Sequence, residues 1–241
     1  MKKKDIPILK TQNRGIAFDM DGVLIDSTKY HVKAWRETFH HFYNFYVDDI
    51  EIYLLEGVKG KEVIKKITSE HGIYPKSEEI ANIHAFKRNY FKSIFTIEPI
   101  SGILELIKLA LKFEYKLALV TGTSRQNVSD VILKLDLTNC FQTIITGDDD
   151  IKGKPLPDPY LIAAERLGIQ NNFCLVIENA PEGIKSAKAA NMSCIAVETT
   201  LDKKFLSQSD IVCQNINAVK KIIKFDFKIS GGCGPWVLQK I

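Results

Sequence analysis

The sequence predicts an α/β protein, with a parallel sheet covered by helices on both faces and one all-helical block inserted after the first strand. Three observations carry this. Short, continuous apolar runs recur in the second half of the 241-residue chain. Helical patterns separate those runs. Between residues 28 and 97 no convincing strand occurs at all.

The first strand is Gly15-Ile16-Ala17-Phe18, followed at once by Asp19-Met20-Asp21-Gly22. Gly22 predicts a sharp turn. Four further strands are predicted at Leu117–Val120, Thr143–Thr146, Cys174–Ile177 and Cys194–Val197. Each is apolar throughout rather than alternating, as strands buried on both faces are. Helices are predicted at Gly102–Leu111, Val128–Leu135, Tyr160–Leu167 and Glu182–Ala190. Strand alternating with helix implies parallel, Rossmann-like connections. In the helical block, Trp35, Phe39 and Phe42 share one helical face. Val63, Ile64 and Ile67 share another, and Ile83, Phe86 and Tyr90 a third. Pro99 and Gly102 mark the return to the sheet. The expected division is an α/β core over 11–27 and 98–228, a helical insert over 28–97, and a tail over 229–241.

Composition narrows the function classes. At 45% hydrophobic residues the chain can build a sizeable core. A net charge of +4, with basic residues scattered rather than striped, gives little support to a nucleic-acid surface. No stretch approaches the roughly 20 apolar residues of a membrane span. Met1-Lys2-Lys3-Lys4 has the charge of a signal-peptide start, but Asp5, Pro7 and Lys10 interrupt any apolar region after it. A solvated tail is expected there. The five cysteines show no CxxC pair, and Cys174 and Cys194 lie beside strand-like runs. They read as buried reduced thiols of a cytoplasmic protein. A monomer or weak dimer is expected, without membrane or nucleic-acid partners.

The chemistry concentrates at predicted strand ends, where open α/β sheets bind ligands. Asp19 and Asp21 suit phosphoryl chemistry. One carboxylate attacks phosphorus or orients what does, and the other exchanges a proton with the leaving oxygen. A carboxylate facing a phosphate is repelled, so a divalent cation is expected between them, and Mg²⁺ suits oxygen ligands. Thr121-Gly122-Thr123-Ser124 offers hydroxyls and backbone N–H groups as an anion cradle, although Thr123 or Ser124 would serve equally as a helix cap. Arg125 is a candidate phosphate contact. Lys154, between Gly153 and Pro155 in a stiff proline-rich loop, is placed to neutralise the phosphoryl group. Asp158 is expected to cap the helix after it. Glu178 and Asn179 offer a charged and a neutral oxygen as further metal ligands. Of the five histidines, His31 follows the acidic loop closely enough to reach the site. His40, His41, His71 and His84 form no metal-like pattern.

Taken in order, Asp19-Met20-Asp21-Gly22-Val23-Leu24-Ile25-Asp26-Ser27, Thr121, Gly153-Lys154-Pro155 and Glu178-Asn179 resemble the four motifs of the haloacid dehalogenase superfamily. The likeness continues through Ala180-Pro181-Glu182-Gly183-Ile184 and spans about Gly15 to Val212. The helical insert is similar to the cap domain of the subgroup containing β-phosphoglucomutase and phosphoglycolate phosphatase. The resemblance implies that Asp19 is the nucleophile forming an aspartyl-phosphate. It implies that Asp21 is the general acid/base, with its backbone carbonyl on Mg²⁺. Thr121 and Lys154 would hold the phosphoryl group, and Glu178 and Asn179 would complete the metal site with Asp19 and Asp21. The family usually has an acid where Asn179 stands, which implies weaker Mg²⁺ binding. An aspartate at Asp21 sets the chain apart from the dehalogenase and phosphonate-hydrolase branches. Tyr30-His31-Val32-Lys33-Ala34-Trp35 is similar to a histidine- and tryptophan-bearing segment of β-phosphoglucomutases. Glu56-Gly57-Val58-Lys59-Gly60-Lys61 resembles their specificity loop, but Gly60 stands where they carry an arginine, with Lys59 or Lys61 as substitutes. The expected activity is Mg²⁺-dependent hydrolysis of a small phosphorylated metabolite, a sugar phosphate foremost. A sugar-phosphate isomerase and a catalytically weakened binding protein are the alternatives.

Overall fold

The computed structural model describes residues 14–236 and 238. Six parallel strands form one sheet: β1 (Gly15–Phe18), β2 (Lys116–Val120), β3 (Thr143–Ile145), β4 (Cys174–Glu178), β5 (Ser193–Val197) and β6 (Ile211–Cys213). Their order is β3-β2-β1-β4-β5-β6, so β1 is central. The chain winds outward from β1 in both directions, and the switch point lies between β1 and β4. There Phe18 stands opposite Ile177, and the Asp19 N–H donates to the Ile177 carbonyl at 3.0 Å.

The apolar runs are continuous because successive strand residues feed two different cores. Leu117, Leu119, Leu175, Ile177 and Val197 point to one face, packed by α5 (Ile103–Lys112), α6 (Arg125–Lys134) and α9 (Ile216–Ser230). Ala17, Ala118, Val120, Val176 and Ala196 point to the other, packed by α7 (Asp158–Leu167) and α8 (Pro181–Ala189). The alanines on this second face let its helices approach closely. Each fully buried Leu, Ile or Val stabilises the fold by about 1.5–3 kcal/mol. Cys174, Cys194 and Cys213 are buried among these residues. Burial pushes the Cys174 thiol up to about 12 and Cys213 to about 11, so both are inert near neutrality.

Between β1 and α5 the chain forms α1 (Thr28–Tyr43), α2 (Asp49–Leu54), α3 (Gly60–Glu70) and α4 (Ser77–Ile94). They enclose a separate apolar cluster that includes Trp35, Phe39, Ile64, Ile67 and Ile83. The buried stripe of α4 is Ile80, Ile83, Lys87 and Phe91, whereas Phe86 and Tyr90 are only half-buried. The expected face is rotated by one residue, because a buried lysine interrupts the apolar pattern.

The strand β6 and helix α9 were not expected. β6 is a three-residue edge strand too short to stand out, and α9 carries lysines along its outer side. The glycines after Ser230 suggest flexibility, yet this segment docks on the core. Trp236 is buried, and its Nε1–H donates to the Phe173 carbonyl at 3.0 Å. Asp158 is the first residue of α7, after Pro157, and makes no side-chain capping bond. The solvated tail expected at Met1–Lys4 lies outside the described residues. Among the described residues no helix is long and apolar enough to cross a membrane.

Candidate active site

Strand register brings three strand ends together. Asp19 follows β1, Thr121 follows β2, and Glu178 ends β4. After Asp19 the chain turns at Gly22, whose φ is +86°, a conformation that favours glycine. The turn closes when the Gly22 N–H donates to the Ile25 carbonyl at 2.8 Å. A Cβ added at Gly22 would also meet Asn179 Nδ2 at 2.1 Å, so this glycine admits the amide to the site.

Asp19 is buried, and one oxygen, Oδ1, accepts from Lys154 Nζ at 2.5 Å. Its Oδ2 is buried with no hydrogen-bond partner. Burial, helped by the charges of Glu178 and Asp21, raises its pKa well above the carboxylate range despite the opposing Lys154 ammonium. Lys154 is itself buried, and also donates to Glu178 Oε1 at 2.7 Å and the Val120 carbonyl at 3.2 Å. Burial works against its charge, but the two carboxylates outweigh that and hold it protonated.

Asp21 is surrounded by donors. Ser27 Oγ reaches Oδ1 at 2.5 Å and His31 Nε2 lies 3.2 Å from the same atom. Thr123 Oγ1 and Thr121 Oγ1 reach Oδ2 at 2.9 and 3.2 Å. Burial alone would raise its pKa; the imidazole and the hydroxyls win, and the carboxyl is held below its usual range. On its far side, His31 Nδ1 meets Lys87 Nζ at 2.6 Å. The arrangement is satisfied when the ammonium donates to Nδ1 and Nε2–H donates to Asp21. Burial and the adjacent Lys87 lower the His31 pKa, which fits a neutral ring.

The expected residues do not all take the expected places. Gly122 and Thr123 line the main cavity, of about 430 Å³, with His31 and Asp21. Thr121 lies beneath it, hydrogen-bonded to Asp21. Arg125 turns away. Its guanidinium is exposed and pairs with both Asp149 oxygens at 3.0 Å. A longer side chain at the start of α6 finds a carboxylate on the neighbouring loop before it finds the cavity. Glu178 also departs from the metal-ligand expectation. Its Oε1 accepts from Lys154 and from Tyr160 Oη at 2.7 Å, and its Oε2 from the N–H groups of Asn179 and Ala180 at 3.0 and 3.4 Å. Both oxygens are occupied, so Glu178 fixes Lys154.

Two residues were missed. Lys87 carries no sequence signal beyond an interrupted helical stripe. Glu56 lies in the loop between α2 and α3, with nothing local to mark it, and reaches from the helical block to Asn179, accepting from Nδ2 at 2.9 Å. The same loop is fastened by Lys59, which donates to the carbonyls of Asp149 and Ile151 at 2.9 and 2.7 Å. A Cβ at Gly122 would meet the Gly57 carbonyl oxygen at 2.9 Å, so the two backbones touch there.

Asp19 Oδ2, Asn179 Oδ1 and Glu56 Oε1 are buried oxygens without a partner. A buried acceptor left unmade costs about 1–3 kcal/mol, more when charged. Acceptor-only oxygens beside several carboxylates fit a hard divalent cation such as Mg²⁺. Among the described residues no three His, Cys, Asp or Glu side chains converge as a metal site. A cation here would therefore draw on the Asn179 amide and main-chain oxygen as well as carboxylate.

Comparison with known proteins decides the family. Residues 16–197 match the family described as haloacid dehalogenase-like hydrolase. The chain belongs to that family. It is 27% identical over 216 residues to the phosphorylated carbohydrates phosphatase of Thermotoga maritima, covering 86% of this chain and 99% of that protein. It is 28% identical over 190 residues to the β-phosphoglucomutase of Bacillus subtilis, covering 76% and 83%. The crystal structure of β-phosphoglucomutase from Clostridium difficile superposes with a TM-score of 0.79 at 24% identity, over 90% of this chain and 97% of that one. As a haloacid dehalogenase-like hydrolase, the chain is an enzyme, and its α/β sheet and helices are the fold of its neighbours.

Proposed function

We propose that this hydrolase is a Mg²⁺-dependent phosphatase acting on a small phosphorylated sugar through an aspartyl-phosphate at Asp19. One observation carries the reading: a buried carboxylate with Oδ1 held by Lys154 and Oδ2 free, two residues before a second carboxylate held by four donors. The similarity to phosphatases of phosphorylated carbohydrates supports the substrate class.

Asp19 Oδ2 attacks phosphorus, and its P–O bond forms as the bond to the sugar oxygen breaks. Asp21 gives a proton to the departing alkoxide. An arriving phosphate brings like charge and raises the low Asp21 pKa toward the proton-bearing form. Asp21 then takes a proton from water as water attacks the acyl phosphate, releasing phosphate and restoring Asp19. Lys154, together with a bound cation, would favour the ionised form of Asp19 against its burial, and Lys154 neutralises the transferring group. Asn179 Oδ1 and the Asp21 main-chain oxygen would hold Mg²⁺ beside Asp19, and the ion would offset charge on the phosphoryl oxygens. The helical block acts as a cap, closing over the reaction and excluding bulk water.

Lys61 and Arg88 also line the cavity, together with His84 and the carboxylates of Glu62 and Asp148. Burial, then Lys87, Arg88 and Lys61, lower the His84 pKa to about 4. A Cβ at Gly60 would meet His84 Nε2 at 2.4 Å, so the imidazole takes the direction of a side chain there. Lys59 is committed to the core carbonyls. Lys61 and Arg88 therefore favour a second reading, in which a distal phosphate is gripped and phosphate moves between positions of one sugar.

A panel of sugar phosphates tests both. Release of inorganic phosphate, abolished by Asp19→Asn, is expected. Equal slow rates for wild type and Asp19→Asn would sink the proposal. Isomerisation faster than release, with a bisphosphate activator present, would favour the second reading.

A further inference from the structure

Glu56 belongs to the cap by its backbone and to the core by its side-chain contact. It follows α2 in the cap, but its carboxylate sits beside Asn179 at the end of β4. Asn179 Nδ2 donates to Glu56 Oε2 at 2.9 Å and to Thr200 Oγ1 at 3.0 Å. Both amide hydrogens are thereby spent, which fixes the amide with Oδ1 as its remaining group. That Oδ1 is buried without a partner, as are Asp19 Oδ2 and Glu56 Oε1. Asn179 is fully buried, so solvent does not satisfy it. Three acceptors thus await a positive group, and Asn179 brings no charge to meet it.

We propose that Glu56 is a positioning residue of the cation site: it orients the Asn179 carbonyl oxygen and supplies from the cap the negative charge that the amide lacks, making Mg²⁺ affinity depend on cap docking. Linkage makes the dependence reciprocal, so Mg²⁺ also favours the docked cap. Lys59, three residues on, holds the same loop to the Asp149 and Ile151 carbonyls and keeps Glu56 in place.

The inference rests on the Mg²⁺-dependent reading of the site. Calorimetric titration of the full chain with Mg²⁺ alone tests it without turnover. Glu56→Gln keeps the side-chain length and removes the charge. Its Mg²⁺ dissociation constant should rise at least tenfold, and Asn179→Asp in that background should restore most of the loss. Asn179→Asp alone should gain much less, because it sets two carboxylates side by side. An unchanged dissociation constant in Glu56→Gln, with wild type binding Mg²⁺, overturns this inference and leaves the phosphatase reading standing. A wild-type chain that binds no Mg²⁺ overturns both. Should Glu56→Gln fail to fold, Lys59→Ala loosens the same loop; weaker Mg²⁺ binding supports the proposal and unchanged binding overturns it.

Discussion

Lys87 shows how one residue couples stability to chemistry. Its ammonium is buried, 2.6 Å from His31 Nδ1 and over the rings of Trp35 and Phe91. Burial lowers its pKa to about 7 from 10.5, with Arg88 adding to the shift and Asp21 opposing it. Below pH 7 the folded and unfolded chains both carry the proton, and the fold bears the cost of a buried charge. Between pH 7 and 10.5 only the unfolded chain carries it, so wild-type stability rises with pH across that window. Lys87→Met removes this dependence. Its melting temperature relative to wild type should be highest below pH 7 and should decline toward pH 10. A difference independent of pH would show that the ammonium is not buried at cost. The residue was illegible in the sequence because a lysine in an amphipathic helix is ordinarily solvated. Only packing of α4 against α1 turns it inward.

At the scale of the element, α8 begins where Glu178 must lie. The carboxylate accepts from the N–H groups of Asn179 and Ala180 at the helix entrance, a favourable place for an anion. Gly183 lies in the first turn, and a Cβ there would stand 1.8 Å from Glu178 Oε1. Helix propensity alone favours Gly183→Ala by about 1 kcal/mol. The contact favours the opposite outcome, since Glu178 must move and take Lys154 with it. A shift of that size costs on the order of 10²-fold in rate. Gly183→Ala should therefore lower kcat/KM by about that factor without raising the melting temperature. Wild-type turnover would show that Glu178 does not fix Lys154. The glycine was visible in Ala180-Pro181-Glu182-Gly183-Ile184, but its reason was not, because the clash lies with a side chain five residues back.

Across the whole molecule, the first strand and the last helix are fastened together. Arg14, just before β1, pairs with Asp226 of α9 at 2.5 Å, and both side chains are buried. The same guanidinium donates to the Gly234 carbonyl at 2.6 Å and to the Pro235 carbonyl, and lies 4.5 Å from the centre of the Trp236 ring. Removing one partner of a buried ion pair costs about 3–5 kcal/mol. At about 2–4 °C per kcal/mol for a chain near this size, Arg14→Met should lower the melting temperature by about 10 °C. Arg14→Met with Asp226→Leu should recover much of it. A single variant as stable as wild type would mean that the tail docks through Trp236 alone. No local pattern marks the surface that buries Trp236, since its partners Arg14 and Phe173 come from distant parts of the sequence.

The sequence by itself determined five of the six strands, their ends and the order of the candidate site groups. Buried parallel strands need continuous apolar runs, and chemistry at their ends needs acids, hydroxyls and a lysine at positions that local patterning marks. It also singled out Asp19 and Asp21 as a pair and Lys154 as a positive charge for the same site, and Lys154 does pair with Asp19. Tertiary structure decided what each polar group does with its hydrogen-bonding capacity. It turned Arg125 to Asp149, occupied both oxygens of Glu178, and brought Glu56 and Lys87 from the helical block into the site. These outcomes depend on which donors and acceptors are left over when two separately packed layers meet, and no local pattern records that remainder.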